Sequence, residues 1–300
     1  MLGHTIKEWF FALRPWSFPA SLTPVMATLG LLYWRSGAES ISCNWLNGAL
    51  AALGMVIFQA GANLISDYYD FKYLVDRKGG YGSRNLTDNL FTPVEILRYG
   101  FVVLSLGCIL GLILLLRTDA RLLYLGAAGI CIALLYSFFK FNALGDVVIF
   151  IAFSILPILG TTFVVTGSFD SRNLILAIPI GLITVAILHA NNWRDIGADS
   201  QANIKTLSIL IGSKASEILY IFEILFPFIW LGGAALAFNS IPTWCLLALA
   251  SAPLAFKAVS VAVNRADDTA AICDLDVQTA QLQLVFGLTL TTSFLIAAWV

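Results

Sequence analysis

Two short stretches of this otherwise apolar chain place amide and carboxylate side chains in nearly the same order. Their shared residues are one asparagine followed by two aspartates, namely Asn63, Asp67 and Asp70 in the first stretch and Asn191, Asp195 and Asp199 in the second. Residues three or four positions apart lie on one face of a helix, so each stretch predicts a patch of carboxylates on a helical face. Such a patch of like charges destabilises the helix unless cations lie between the carboxylates.

Carboxylates in this arrangement are suited to binding Mg²⁺, which prefers carboxylate, water and phosphate oxygens as ligands. Two patches that face each other would hold Mg²⁺ around a diphosphate, neutralise its charge and assist its departure as a leaving group. The alternative is that these acids are ordinary solvated charges near helix ends. The repeated Asn-x3-Asp spacing at two matching places along the chain weakens that alternative.

Basic residues accompany both acidic stretches. Those that follow the first are Lys72, Arg77, Lys78 and Arg84, and those within or after the second are Arg194 and Lys205. Arginine suits bidentate contacts with phosphate oxygens, whereas lysine suits a point contact. These residues are therefore candidate diphosphate ligands, although any one of them could instead anchor a helix at the membrane surface.

Membrane-spanning helices must position these stretches, because 59% of the 300 residues are hydrophobic and only 12% are charged. Uncharged windows of about the length that crosses a bilayer recur at residues 15–34, 40–66, 99–116, 122–139, 147–169, 173–193 and 277–300. A longer uncharged run, 224–256, is expected to break near Pro242 into spans at about 217–238 and 241–263. The sequence thus predicts an all-α integral membrane protein of nine transmembrane helices, forming one domain over residues 1–300.

The distribution of lysine and arginine predicts the orientation. With the N-terminus in the cytoplasm, thirteen of these residues fall on the cytoplasmic side and four on the other, which is a strong positive-inside bias. The C-terminus then lies outside, and both acidic stretches lie on the cytoplasmic side, in loops at about 67–94 and 194–216. We expect a multi-pass protein of the cell inner membrane, with the site facing the cytoplasm.

Other features exclude some functions or leave them open. A formal net charge of −1 argues against nucleic acid as a partner, and no obligate protein partner is indicated. His189 is expected either to pack between helices or to act as a general base. Glu223 lies inside the seventh predicted span and is a functional candidate without an identified partner. Arg14 either contacts substrate or anchors the first span.

The sequence resembles the UbiA superfamily of membrane prenyltransferases, most closely its menaquinone branch, the 1,4-dihydroxy-2-naphthoate prenyltransferases and their vertebrate menaquinone-4 relatives. The likeness runs in order through nearly the whole chain, in the segments LRPWSFPASLTP (13–24), GANLISDYYDF (61–71), YSFFKFNALGD (136–146), ILHANNWRDIGAD (187–199) with KTLSILIG (205–212), and TAQLQLVFG (279–287). The resemblance implies a helical bundle around a cavity open to the membrane, in which bound Mg²⁺ holds an isoprenyl diphosphate.

The resemblance also assigns residues by position. The first aspartate motif comprises Asn63, Asp67 and Asp70, with Asp76 as a further metal ligand. The second comprises Asn191, Asn192, Arg194, Asp195 and Asp199. Tyr136, Lys140 and Asp146 resemble positions near the diphosphate and the reacting carbon. We therefore expect the aspartates of both motifs to bind Mg²⁺, and Lys72, Lys140, Asn191, Asn192, Arg194 and Lys205 to bind the diphosphate.

In the menaquinone branch the acceptor is 1,4-dihydroxy-2-naphthoate, whose carboxylate leaves as CO₂ when the chain joins the ring, giving demethylmenaquinone. Another aromatic acceptor, such as 4-hydroxybenzoate or homogentisate, remains open. A different class, an ion-coupled transporter, predicts acidic residues near the bilayer midplane on broken helices. Most acids of this sequence instead lie at one interface.

Overall fold

The structure is a computed structural model that describes residues 4–73, 83–202, 204–265 and 272–300. Over these residues the regular structure is helical, apart from a single parallel bridge between Asn142 and Lys205. The prediction of an all-α protein is confirmed for this part of the chain.

The N-terminal half consists of six helices and a short 3₁₀ turn. They are α1 (Ile6–Ala12), the 3₁₀ turn Pro15–Ser17, α2 (Phe18–Glu39), α3 (Trp45–Lys72), α4 (Arg84–Thr87), α5 (Pro93–Arg117) and α6 (Leu122–Lys140). Local sequence sets several of these boundaries. Thr92 and Glu95, for example, form a reciprocal capping box that starts α5.

The C-terminal half continues with α7 (Gly145–Phe150), a π-helical segment (Ile151–Ile155), α8 (Leu156–Thr166), a 3₁₀ segment (Ser171–Leu176) and α9 (Ala177–Arg194). It ends with α10 (Ile196–Gln201), α11 (Leu207–Ile211), α12 (Ser213–Ala237), a 3₁₀ segment (Thr243–Ser251), α13 (Ala252–Arg265) and α14 (Leu275–Ala297). Gly167, at φ 75°, takes the left-handed conformation that ends α8.

Eight helical segments of the described chain are long and apolar enough to cross a membrane. They are Trp45–Lys72, Pro93–Arg117, Leu122–Lys140, Gly145–Thr166, Ser171–Arg194, Ser213–Ala237, Thr243–Asn264 and Leu275–Ala297. Helix α2 has 22 residues but is less apolar, because it carries prolines, hydroxyls and Arg35. A multi-pass membrane protein is thus supported, while the ninth span and the orientation stay predictions.

Helices α3 and α5 approach each other closely through glycine. A β-carbon on Gly61 would lie 2.7 Å from the backbone nitrogen of Leu104, so any larger residue would push the two helices apart. Small residues at such a crossing let helix backbones meet, which is how membrane helices gain packing energy without a hydrophobic driving force. This contact fixes the direction in which α3 carries the first acidic stretch.

Helix α9 lies at the centre of the bundle, and most of its residues are buried against α2, α7, α12 and α14. A β-carbon on Gly181 would lie 2.5 Å from the Phe150 ring at the end of α7 and 2.8 Å from the Ser154 hydroxyl, so the π-helical segment packs directly onto the α9 backbone. π-helical turns shift the direction of the side chains that follow them and are common at functional sites. Here the segment supplies Ala152 and Phe153 to the wall of an internal cavity.

A buried ionic cluster ties α2 to the turn before α9. The Arg35 side chain is fully buried and donates to Glu39 at 2.8 Å, to Asp170 at 2.8 Å and to the Asn173 amide oxygen at 2.6 Å. Asn173 in turn donates to Thr162 on α8 at 2.9 Å. One guanidinium therefore fixes three segments at the end of the bundle opposite the acidic stretches.

Replacing this arginine tests the cluster. We expect Arg35→Met to reduce the free energy of unfolding by about 2 kcal/mol, somewhat less than a fully buried ion pair would lose, because Glu39 and Asp170 are partly exposed. The measurement is thermal unfolding of the purified protein in detergent. Arg98→Met, at an exposed position on α5, is the matched control and should change stability by no more than about 0.5 kcal/mol. Equal stability of the two variants would rule out this role for Arg35.

Candidate active site

A large cavity connects the acidic stretches with the interior of the bundle. Its volume is about 1160 Å³, and its walls come mainly from α2, α3, α5, α6, α8 and α9, with further residues from the π-helical segment, α10 and the start of α14. Helix α6 contributes lining residues from Leu122 at its start to Lys140 at its end. Since a helix rises 1.5 Å per residue, the cavity extends over roughly 27 Å. One end is polar and the rest is mainly apolar.

At the polar end, Asp70 of α3 meets Lys140 of α6. The Lys140 ammonium lies 3.2 Å from one carboxylate oxygen of Asp70, and the second oxygen is buried without a hydrogen-bond partner. Both residues line the cavity, as does Tyr136 one turn before Lys140. An unpartnered carboxylate oxygen beside a cation is suited to binding a metal ion or a polar ligand head group.

Asp67, the other predicted metal ligand on α3, has a different environment from Asp70. Its side chain is buried, and it is absent from the residues that line the cavity. One oxygen accepts from Arg14 at 3.1 Å, and the other accepts from Ser83 at 2.6 Å and Asn85 at 3.0 Å. These three donors line the cavity, whereas Asp67 lies outside its wall and fixes their positions through these hydrogen bonds.

Asn63 faces the cavity on the same helix and also fixes the N-terminal segment. Its amide donates to the Leu13 carbonyl at 3.3 Å and to the Ser17 hydroxyl at 3.0 Å. Arg14, between them, has a left-handed backbone with φ 60°, which lets the chain turn sharply into the 3₁₀ turn that precedes α2. The N-terminal segment thereby closes one side of the polar end.

The second acidic stretch lies at the end of α9 and continues into α10. The i to i+4 backbone hydrogen bonds run through Asp195, from its amide to Asn191 and from the Asp199 amide to Asp195, so the helical spacing of the stretch persists across the break between α9 and α10. Asn191, Asn192, Asp195 and Asp199 all line the cavity. The structure therefore brings the second stretch opposite Asp70, as the repeated pattern predicts.

Arg194 is held by acids on two elements. Its guanidinium forms a bidentate contact with Asp195 at 2.8 and 2.9 Å, and a third nitrogen lies 3.3 Å from Asp276 at the start of α14. Asp276 lines the cavity and was not among the predicted site residues. The available signal was its place in the third charged loop, at residues 264–276, but that loop repeats neither acidic pattern.

Asp199 has an environment that favours its neutral form. Burial raises the pKa of its carboxyl to about 6; the Lys140 ammonium opposes this shift, whereas the Asp195 and Asp70 carboxylates add to it. The charges of Asp195, Asp70 and Lys140 are therefore close enough to Asp199 to change its pKa. Asp70 and Asp199 thus share Lys140, while Asp195 and Asp276 share Arg194, so four carboxylates face two cations here, an excess of negative charge that a bound cation would relieve.

Two predicted diphosphate ligands lie elsewhere. Lys72 is exposed, lies among the rings of Tyr68, Tyr69 and Tyr73 and does not line the cavity. Lys205 is also exposed outside the cavity, where its backbone amide donates to Phe141. The predicted metal ligand Asp76 lies outside the described residues, as do Arg77 and Lys78.

His189 and Asp146 lie away from the cavity wall. The two are buried together, with His189 Nδ1 3.2 Å from an oxygen of Asp146, and neither lines the cavity. The interpretation of His189 as a helix-packing residue fits this position. The expectation that Asp146 lies near the reacting carbon does not fit it, because Asp146 points from the start of α7 toward α9.

The chain matches the model of the UbiA prenyltransferase family over residues 21–285. It is 36% identical to UbiA prenyltransferase domain-containing protein 1 of Mus musculus over 291 residues, covering 95% of this chain and 83% of that protein. It is 34% identical to the Drosophila melanogaster homolog of that protein over 260 residues, covering 84% of this chain and 70% of the homolog.

Solved structures share the fold at low sequence identity. A UbiA homolog from Aeropyrum pernix K1 in its apo form superimposes with a TM-score of 0.71 at 14% identity, covering 92% of this chain and 97% of that one. A UbiA homolog from Archaeoglobus fulgidus bound to GPP and Mg²⁺ gives 0.62 at 13% identity, covering 95% and 99%. With the fold, the length of the family match and the identity to the animal proteins in agreement, this chain is a member of the UbiA prenyltransferase family.

Proposed function

We propose that this protein transfers a prenyl group from an isoprenyl diphosphate to 1,4-dihydroxy-2-naphthoate, within the membrane and at the cytoplasmic end of the bundle. The observation that carries the proposal is the convergence of Asp70, Asp195 and Asp199 with Lys140 at the polar end of a long apolar cavity. Such a cavity matches a substrate with a charged head and a long apolar tail.

Mg²⁺ is the cofactor that fits the polar end. Carboxylate oxygens are its preferred protein ligands, and the buried oxygen of Asp70 that has no hydrogen-bond partner supports this choice. Asp70, Asp195 and Asp199 would hold the metal, and Mg²⁺ would neutralise the diphosphate as a leaving group. The Archaeoglobus fulgidus homolog bound to GPP and Mg²⁺ supports this assignment.

The residues of the chain then have separable tasks. Lys140, together with Arg194 once it exchanges part of its contact with Asp195, holds the diphosphate oxygens by charge. The bond between the first prenyl carbon and the diphosphate oxygen breaks, and the electron pair leaves with the diphosphate. Apolar walls exclude water from the allylic cation that remains, which would otherwise be hydrolysed.

The acceptor supplies the electrons for the new bond. A carbon of the electron-rich naphthalene ring attacks the allylic cation, and the ring carboxylate leaves as CO₂ while its bonding electrons return to the ring. The choice of this acceptor rests on the resemblance of the motif segments to the menaquinone branch. Other aromatic acceptors, 4-hydroxybenzoate and homogentisate, would give products of different mass and are distinguished by assay.

The first prediction tests the reaction and its acceptor. Membranes that contain the protein, supplied with geranylgeranyl diphosphate, Mg²⁺ and 1,4-dihydroxy-2-naphthoate, should form a prenylated naphthoquinol, detected by mass spectrometry. Asp70→Asn should lower the rate by on the order of a hundredfold, because it removes a ligand that acts on the leaving-group charge. Asp119→Asn, an exposed acid at the opposite end of α6, is the matched control. Prenylation of 4-hydroxybenzoate alone would contradict the acceptor assignment but leave the prenyl transfer intact.

The second prediction concerns the length of the prenyl group. Gly129 lines the cavity with open space around its α-carbon, 11 residues before Lys140 and therefore roughly 16 Å from the polar end. Gly129→Phe should fill the cavity there, so the preference between geranyl and geranylgeranyl diphosphate should shift toward the shorter donor by about tenfold or more. Gly233→Phe, on an exposed face of α12 outside the cavity, should leave the preference unchanged. If Gly129→Phe left the preference between the two donors unchanged, the prenyl group would not pass Gly129.

The third prediction uses the raised pKa of Asp199. Metal binding requires the ionised carboxylate, so the protein's affinity for Mg²⁺ should be nearly constant above about pH 7 and fall by up to about tenfold per pH unit below its pKa of about 6. Calorimetric titration with Mg²⁺, without diphosphate because diphosphate itself takes up protons, measures this dependence. Asp199→Asn should bind more weakly at neutral pH and show a flatter profile. A flat profile in the unaltered protein would remove Asp199 from the ligand set.

A further inference from the structure

A second group of ionisable side chains lies between helices, separate from the cavity. Asp146 at the start of α7, His189 on α9 and Glu223 on α12 each offer a ligand atom, and these atoms lie within 4.8 Å of one another. The residues are far apart in sequence, so the fold alone brings them together. None of the three lines the cavity, although Leu188 and Asn191 on the same helix do.

All three side chains are buried and incompletely satisfied. Asp146 is 7% exposed, His189 is fully buried and Glu223 is 3% exposed. One oxygen of Asp146, the Nε2 atom of His189 and one oxygen of Glu223 have no hydrogen-bond partner. Buried polar atoms almost always have a hydrogen-bond partner, so three such atoms without one in a single cluster indicate that a bound group interacts with them.

Electrostatics favours a cation as that group. Neither carboxylate forms an ion pair with a lysine or arginine within the described chain; the single ionic partner is His189, at 3.2 Å from Asp146. Two ionised carboxylates in a desolvated place are strongly unfavourable without compensation. A protonated imidazole supplies one positive charge, whereas a divalent cation neutralises both carboxylates and leaves the imidazole neutral as a ligand.

The donor set indicates the kind of cation. One imidazole nitrogen with two carboxylate oxygens is a set that suits zinc and other first-row divalent metals, whereas Mg²⁺ prefers oxygen ligands only. This distinguishes the cluster from the acids of the cavity, which offer oxygen atoms alone. The two groups therefore select different metals even though α9 contributes to both.

We propose that Asp146, His189 and Glu223 form a structural binding site for a divalent transition metal of the zinc class, linking α7, α9 and α12. The metal would fix α9 in rotation about its own axis, since His189 and the cavity residue Asn191 lie on different sides of the same helical turn. Its role is to position the second acidic stretch, and it takes no part in the reaction itself. The site does not depend on the proposed acceptor or on the proposed chemistry.

Metal content tests the site directly. The full-length protein, produced in medium with added Zn²⁺ and washed in detergent with excess Mg²⁺ to clear the oxygen-only site, should retain about one zinc per chain by mass spectrometry of the metal. His189→Gln and Glu223→Gln should each retain little zinc. Two controls should retain it: Glu217→Gln, a buried acid two turns earlier on α12 that pairs with Lys214, and Asp70→Asn in the cavity.

A measurement on the unaltered protein keeps the test decisive if a variant does not fold. X-ray absorption at the zinc edge should show nitrogen and oxygen ligands at about 2.0 Å and no sulfur. Zinc retained equally by all variants, zinc ligated by sulfur, or a protein that holds no zinc after loading would each overturn the proposal. In the last case the three groups satisfy one another by sharing protons.

Discussion

A buried carboxylate needs a compensating positive charge, and most of this protein's polar architecture follows from that requirement. The effective cost of taking an ion out of water is several kcal/mol, so each acid among these apolar helices must have a cation or several donors beside it. At the polar end of the cavity, Lys140 lies against Asp70 and acts on Asp199. Arg194 likewise lies between Asp195 and Asp276, so two cations face four carboxylates and negative charge is left over at this end of the cavity.

The helices are packed so that this excess charge lies at one end of a cavity lined by apolar residues. Gly61 lets α5 meet α3, and Gly181 lets the π-helical segment meet α9, so the two helices that carry the acids have fixed positions relative to the wall between them. At the opposite end, Arg35 joins α2 to Asp170 and Asn173. Both ends of the bundle are therefore fixed by contacts between helices, which is what accurate placement of the polar side chains requires.

Sequence patterns predict the parts of this arrangement that depend on local periodicity. The uncharged windows locate the helices, and the Asn-x3-Asp spacing locates the two acidic stretches that the fold brings to one cavity. The same spacing cannot distinguish Asp67 from Asp70, because both lie near one helical face and only the neighbouring loop decides which of them is covered. The contact of Asp276 with Arg194 and the pairing of Asp146 with His189 join helices that are distant in sequence. No local sequence pattern predicts either contact.

The acids of this bundle therefore differ in how many of their oxygen atoms lack a hydrogen-bond partner, and that difference ranks them as candidates for binding a cation. Asp67 accepts hydrogen bonds on both oxygens, from Arg14 on one and from Ser83 and Asn85 on the other. Asp70 shares one oxygen with Lys140 and keeps the other free of partners. An acid whose two oxygens both accept hydrogen bonds contributes to the stability of the fold, whereas a buried oxygen that accepts none carries a desolvation cost that a bound cation would offset. This difference makes Asp70 the stronger candidate metal ligand of the two, although Asp67 holds the place in the first pattern that Asp195 holds in the second.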